Sequence, residues 1–98
     1  MDPSKMLQQA LEAQQKLMDD LAAKTVEGTA GGGKVVVKAT GVGKITEITI
    51  SPEVIDPKDP EFLADLVLAA VNQALESANS LGQAQASDLI GGLGLPGL

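Results

Sequence analysis

Hydrophobic residues recur at helical spacing over the first part of the chain. Asp2 is suited to the N-cap and Pro3 to the first helical position, so a helix is predicted over residues 2–23. Five positions follow intervals of four, three, four and three residues: Leu7, Leu11, Gln14, Met18 and Leu21. This spacing is typical of a helix that packs on its own sheet or on another helix.

The pattern changes to a two-residue period over residues 25–50. Thr25 to Ala30 is predicted as a short strand, and Gly31 to Gly33 as a reversal in which glycine can take positive φ. Lys34 to Thr40 and Lys44 to Ile50 each follow a two-residue period, which predicts two further strands. In the second of these, Thr46, Ile48 and Ile50 are predicted on one face and Ile45, Glu47 and Thr49 on the other. The segment is therefore interpreted as a small antiparallel three-stranded sheet.

The register of the second hairpin has two solutions. A Gly41-Val42 loop places glycine at the first position of a type II′ turn. A Val42-Gly43 loop instead demands an unusual backbone at Val42, and its pairs are Val37 with Ile48 and Lys38 with Glu47. Either register leaves one buried face and one face bearing Lys34 and Lys38.

A turn-rich connector, Ser51 to Pro60, leads to a second helix that is predicted to run to about Asn79, with continuation towards Asp88 left open. Apolar residues nearly encircle this helix. A helix that is apolar on two sides needs two surfaces to pack against, and the sheet and a partner subunit would supply them. The closing GGLGLPGL, residues 91–98, is predicted to be a flexible tail that is disordered or weakly docked.

The composition also favours a homodimer. The chain has 98 residues and no cysteine or histidine, so it has neither a disulfide nor the usual zinc ligands to supplement a small core. The candidate interface residues are apolar positions of the sheet and the second helix: Val35, Val37, Ile48, Leu66, Ala70, Val71 and Ala74.

Charge bears on the choice of partner. The net charge is −6, arginine is absent, and Phe62 is the only aromatic residue. Base-specific reading through arginine forks and stacking of single strands on aromatic side chains are therefore disfavoured. Lysines remain as candidate contacts to DNA phosphates: Lys5, Lys16, Lys24, Lys34, Lys38 and Lys44.

Residues 28–34 match the GxxxxGK pattern of a phosphate-binding loop. The match is incomplete, because Val35 replaces the hydroxyl residue that holds magnesium and a strand pattern follows in place of a helix. Without histidine or cysteine no nucleophile–base pair is evident. We expect no enzyme activity, no cofactor, no metal site, no small-molecule substrate and no membrane contact.

Three segments of the sequence resemble the YbaB/EbfC family of bacterial nucleoid-associated proteins. They are Glu27-Gly28 followed by Ala30–Gly33, the connector Ile50–Pro57, and Leu66–Ala74 with its Val71-Asn72 pair. The Gln-rich first helix and the closing GLGLPGL match as well. The resemblance covers essentially the whole chain and divides it into one domain, residues 1–90, and a tail, residues 91–98.

The resemblance implies an α+β fold in which long helices project, tweezer-like, from a homodimer. It also implies double-stranded DNA binding in the cytoplasm and nucleoid, with little sequence specificity and a role in compaction or gene regulation. Lys5, Lys16 and Lys24 fit contact through the helices best, and Lys34, Lys38 and Lys44 rank second. The alternative is a dimeric scaffold or protein-interaction module with weak or no DNA binding, favoured by the net charge of −6 and the absence of arginine.

Overall fold

A computed structural model describes the backbone of residues 2–92 and the side chains of residues 2–88. Helix α1 (Pro3–Ala22) precedes strands β1 (Thr25–Ala30), β2 (Val35–Thr40) and β3 (Ile45–Ile50). A 3-10 turn and helix α2 (Pro60–Gly92) follow. The predicted α+β fold is confirmed. Helix α2 continues past both Asn79 and Asp88, and the predicted tail lies largely outside the described residues.

Both helices begin at an aspartate followed by a proline. The Asp2 carboxylate accepts a hydrogen bond from the backbone N–H of Ser4 at 3.0 Å, and Asp59 accepts one from the N–H of Phe62 at 3.2 Å. These side chains satisfy N–H groups that have no partner within the helix, while proline, which lacks an N–H, fits the first helical position. The predicted helix starts are thus explained by local chemistry.

The sheet has the order β1-β2-β3, with both pairs antiparallel. Val37 pairs with Ile48 and Lys38 with Glu47, which is the second of the two predicted registers. Neither predicted two-residue loop forms. The hydrogen bond from the N–H of Thr40 to the carbonyl of Lys44 closes a three-residue loop, Gly41 to Gly43. Gly43 carries the positive φ of 88°, so Val42 needs no unusual backbone.

A β-bulge at Thr46 reconciles the longer loop with this register. Lys38 pairs with Glu47 but the next residue, Ala39, pairs with Ile45, so Thr46 has no partner opposite it. Its hydroxyl donates to the carbonyl of Lys38 at 3.3 Å. Strict alternation predicted Ile45 and Ile48 on opposite faces. The extra residue instead places both on the face that packs toward α2.

The core lies between that face of the sheet and α2. Val35, Val37 and Ala39 are fully buried and pack with Ala70 and Ala74 of α2. The helix lies mainly over β1 and next over β2, and it leaves the same face of β3 largely uncovered. Consequently Ile48 remains 46% exposed although its neighbour Val37 is buried.

Glycine at position 28 permits the close approach of the helix to β1. A Cβ there would overlap backbone atoms of Ala70 and Ala74. The side-chain carbonyl of Gln73, on the same helix, accepts a hydrogen bond from the N–H of Thr29 on the outer edge of β1. This bond satisfies a donor that would otherwise lie on an open sheet edge.

The remainder of α2 leaves the sheet and runs beside α1. These two segments, α1 and residues 79–92, are called the arm below. The arm gives the molecule its elongated shape, 67 × 26 × 16 Å. Leu21 is the one buried side chain of α1. Within residues 2–92, neither helix has an apolar stretch long enough to cross a membrane.

Candidate nucleic-acid interface

Two of the predicted DNA-contacting lysines, Lys34 and Lys38, are paired with glutamates. The Lys34 ammonium lies 2.8 Å from the carboxylate of Glu53, because the N–H of Ser51 bonds to the Lys34 carbonyl and brings the connector alongside. The Lys38 ammonium lies 3.4 Å from Glu47. Glu27 stands opposite Lys38 on the other neighbouring strand. The exposed face of the sheet therefore presents no net positive charge around Lys38.

Lys24 and Lys44 occupy one corner of the molecule, called the corner below. The N–H of Gly41 donates to the carbonyls of Leu21 at 2.9 Å and Lys24 at 3.1 Å, which fixes the end of α1 against the hairpin. The N–H of the preceding Thr40 donates to the carbonyl of Lys44 at 2.8 Å. Both lysines are exposed, and neither forms an ion pair with any other residue that the structure describes.

Glycine is also required at the corner, because a Cβ at position 41 would lie 2.6 Å from the carbonyl oxygen of Leu21. The loop backbone consequently sits directly on the last turn of α1. This packing fixes the Lys24 and Lys44 backbones relative to each other, while their side chains remain free to move toward an anion.

Lys5 and Lys16 lie on the arm. Eleven residues correspond to about three helical turns, so the two lysines share one side of α1 and are separated by about 16 Å along it. Glu12 and Asp19 lie on that same side. The polar face of α1 therefore carries both signs of charge, and the two lysines are isolated positive points within it.

The six predicted lysines are thus distributed over three places: the arm, the corner and the sheet. Lys24 was predicted to act with the first helix and Lys44 with the sheet, but in the structure both lie at the corner. This proximity could have been inferred from the sequence. An antiparallel sheet places the end of β2 beside the starts of β1 and β3, and Lys24 and Lys44 directly precede those two strands. The segment that resembles a phosphate-binding loop is a turn into β2, with φ values of 65°, 69° and 87° at its three glycines.

The residues predicted to form the dimer interface differ in their exposure within the protomer. Val35, Val37, Ala70 and Ala74 are fully buried within the protomer, so these four belong to its own core and offer no surface to a second chain. Leu66 and Val71 are partly buried against that core. Ile48 is the one large apolar residue of the set that is exposed.

Leu68 and Leu75 extend the exposed surface beside Val71, but the predicted interface set omits them. They lie three residues before and four residues after Val71, on one side of α2, and are 60% and 38% exposed. Their position away from Ala70 and Ala74 could have been inferred from the helical period once those alanines were assigned to the core.

Known proteins of similar sequence match this chain along most of its length. A Nucleoid-associated protein of Acetivibrio thermocellus is 50% identical over 95 residues, which span 96% of this chain and 84% of that protein. A Nucleoid-associated protein of Chloroflexus aggregans is 49% identical over 88 residues, 90% of this chain and 88% of the other.

A crystal structure of an uncharacterized protein from Helicobacter pylori has the same fold. Its TM-score is 0.78 over 92% of this chain and 98% of the other, at 19% sequence identity. The model of the YbaB/EbfC DNA-binding family matches residues 1–93. This match spans the arm, the sheet and the corner alike, and the chain belongs to the YbaB/EbfC DNA-binding family.

Proposed function

We propose that this protein binds double-stranded DNA in the bacterial nucleoid as a homodimer with little sequence specificity. Its lysines contact phosphates, and occupancy of many sites compacts the DNA or modulates transcription. Membership of a DNA-binding family over residues 1–93 and relatives named nucleoid-associated proteins support the proposal.

The observation that carries the proposal is the arrangement at the corner. The Gly41 and Thr40 hydrogen bonds hold the backbones of Lys24 and Lys44 at one end of the sheet, on either side of the end of β2, and both ammonium groups are free of carboxylate partners among the described residues. Two unpaired lysines in one place are suited to neighbouring phosphates of a DNA strand. Lys5 and Lys16 add separate contacts further along the arm.

Little sequence specificity follows from the side chains that are present. Arginine, which reads guanine with a bidentate fork, is absent from the sequence. Lysine contacts to phosphate set position and affinity but carry no base information. Bound DNA would therefore be selected by its backbone charge and shape.

The affinity of one dimer should be modest and sensitive to salt. Each chain carries a net charge of −6, so a dimer approaches DNA against its own overall charge. Every lysine bound to a phosphate releases counterions and steepens the dependence of log K on log salt concentration by about 0.9. Binding should consequently weaken as salt is raised, in proportion to the small number of phosphates bound.

The proposed homodimer uses the apolar surface that α2 leaves open. Ile48 on β3 and Leu68 and Leu75 on α2 are exposed, and Val71 lies beside the two leucines, partly buried. A second copy would cover β3 as α2 covers β1 and β2. The isologous interface would also double the number of lysines that face one DNA duplex.

A salt-series titration tests the proposal. The oligomeric state is first determined by sedimentation velocity, and the protein is then titrated into two fluorescent duplexes of unrelated sequence at increasing salt. We expect similar affinities for both duplexes, a linear fall in log K with log salt, and a dimer. Absence of binding at low salt would refute the DNA function and leave the dimeric interaction module as the better explanation.

A further inference from the structure

The outer edge of β1 is an open row of backbone hydrogen-bonding groups. In an antiparallel sheet the N–H and C=O groups of every second residue of a strand point to the same side. The N–H of Thr29 points outward, because it bonds to Gln73 of α2 and not to β2. The N–H and C=O groups of Thr25 and Glu27 therefore point outward as well, and they have no hydrogen-bond partner in the part of the chain that the structure describes.

The Gln73 side chain indicates what this edge accepts. Its amide has the chemistry of a peptide group, and its carbonyl takes the place that the carbonyl of an added strand would take at Thr29. The outward groups recur at every second residue, about 6.8 Å apart, which is the spacing of an extended backbone. The edge is therefore suited to pairing with a further β-strand.

Helix α2 supplies an apolar wall beside this edge, formed by Phe62, Leu66 and Ala69. These residues precede Gln73 by eleven, seven and four positions, so they lie on the same side of the helix as Gln73. Leu66 lies beside Gly31, directly after β1, since a Cβ at Gly31 would be 3.4 Å from the Leu66 methyl groups. Phe62 is 49% exposed and Ala69 is also exposed. Apolar side chains of an added strand would pack against this wall.

The face of β1 that points away from α2 carries an unpaired carboxylate. Glu27 stands opposite Lys38 on β2, but the Lys38 ammonium lies 3.4 Å from Glu47 on β3. Glu27 is exposed and forms no ion pair with any residue that the structure describes. A lysine or arginine opposite Glu27 on an added strand would extend the alternation of charge across the sheet, whereas an acidic residue there would be repelled.

The other edge of the sheet is less suited to a further strand. The bulge at Thr46 interrupts the ladder of β3, and bulges hinder pairing at sheet edges. Helix α2 also leaves β3 largely uncovered. The edge of β1 therefore combines a regular backbone with an apolar wall.

We propose that an extended segment of another protein adds to β1 as a fourth, antiparallel strand. Its apolar residues face α2, and between them a lysine or arginine lies opposite Glu27. The antiparallel direction continues the pattern of the sheet and pairs both backbone groups of Glu27 with a single residue. The inference goes beyond DNA binding, because the edge uses neither the corner lysines nor the proposed dimer surface.

A synthetic peptide tests the pairing. The probe is acetyl-Val-Thr-Val-Lys-Val-Thr-amide, whose lysine lies opposite Glu27 when the peptide runs antiparallel to β1. Amide hydrogen exchange of the full-length protein is measured by NMR with and without saturating probe. We expect exchange at the N–H groups of Thr25 and Glu27 to slow at least about tenfold, because they become hydrogen-bonded. The N–H groups of Val26 and Gly28, which point toward β2, are the internal control and should change less.

Matched probes separate backbone pairing from general attraction. N-methylation of the probe's lysine removes the N–H that faces Glu27. N-methylation of the valine that follows this lysine alters an N–H that points away from β1. We expect the first change to abolish binding, measured by fluorescence anisotropy of labelled probes, and the second to be tolerated.

A charge exchange tests the position opposite Glu27. Glu27→Lys alters an exposed side chain, so the fold should persist. This variant should bind the lysine probe about fivefold more weakly than the unmodified protein does, and should prefer a probe with glutamate in place of the lysine. Glu12→Lys changes the net charge equally but lies on α1, so it should keep the preference for the lysine probe.

Three results would overturn the strand addition. They are unchanged exchange at Thr25 and Glu27 with the probe present, equal binding of the two N-methylated probes, and an unchanged probe preference in Glu27→Lys. Slow exchange at these two amides before any probe is added would also overturn it, because a second copy of this chain would then already cover the edge. A failure to bind DNA in the salt-series titration would leave all of these outcomes unaffected, so the two proposals fail separately.

Discussion

The Lys38 ammonium lies 3.4 Å from the Glu47 carboxylate, across the β2–β3 ladder on the exposed face of the sheet. Both side chains are about half exposed, so the pair contributes little to stability. The pair acts on the local electrostatic potential, because the negative charge of Glu47 offsets the positive charge of Lys38. The pairing therefore reduces the ability of Lys38 to attract a phosphate.

Replacing Glu47→Gln should free Lys38 and raise the affinity for duplex DNA about threefold at low salt, as expected when an exposed ion pair is released. Fluorescence anisotropy measures the change. Glu76→Gln is the matched control, since it removes one negative charge from an exposed position of α2 away from the sheet. Equal gains in both variants would mean that net charge alone matters and that Lys38 does not touch the DNA.

The corner lysines should matter more than the sheet lysines. The double variant Lys24→Ala, Lys44→Ala should weaken DNA binding and lower the slope of log K against log salt by about 0.9 for each phosphate that a chain no longer binds. Lys34→Ala, Lys38→Ala removes the same charge from residues already paired with glutamate, so its slope should stay near that of the unmodified protein. If the Lys34→Ala, Lys38→Ala variant lowered the slope more than the Lys24→Ala, Lys44→Ala variant, the DNA would bind on the sheet and not at the corner.

The proposed dimer surface predicts a shift in oligomeric state. Ile48→Gln and Leu68→Gln alter side chains that are 46% and 60% exposed in the protomer, so the fold should persist while the dimer weakens. Sedimentation velocity over a concentration series should then resolve a monomer. Phe62→Gln is the control, because Phe62 is 49% exposed but lies on another side of α2. A dimer that survives both interface substitutions would exclude this surface.

The elements of the fold follow from local chemistry and were predictable from the sequence. The Asp2-Pro3 and Asp59-Pro60 caps, the Gly31–Gly33 reversal and the alternation of β2 each have a cause within a few residues. The bulge at Thr46 could not be predicted in this way, because it depends on how a three-residue loop and the pairing of Val37 with Ile48 are satisfied together.

The site was predictable as a set of residue types but not as an arrangement. The sequence identifies the lysines, whereas their separation into paired and unpaired groups depends on how distant segments pack together. Glu53 reaches Lys34 only because the N–H of Ser51 bonds to the Lys34 carbonyl at the start of β2. Lys24 and Lys44 share one end of the sheet only because Gly41 bonds to the end of α1 and Thr40 bonds to Lys44. Similarly, Val37 and Ile48 are both apolar strand residues, and only the position of α2 buries one and exposes the other.

Gly28 is predicted to be among the residues least tolerant of substitution. In Gly28→Ala the added Cβ would overlap the backbone of Ala70 and Ala74, so α2 must lift away from β1 and disturb the packing of the fully buried Val35 and Val37. The free energy of unfolding should fall by about 3 kcal/mol, the upper part of the usual range for overpacking.

Chemical denaturation at a fixed protein concentration measures this change, since the stability of a dimer depends on concentration. Gly32→Ala provides the control: no atom lies within 4 Å of its new Cβ, and its φ of +69° should cost only about 1–2 kcal/mol. If Gly28→Ala proved no more destabilising than Gly32→Ala, α2 would have to be able to move away from β1 at little cost. The close approach at Gly28 would then not be what holds α2 on the sheet.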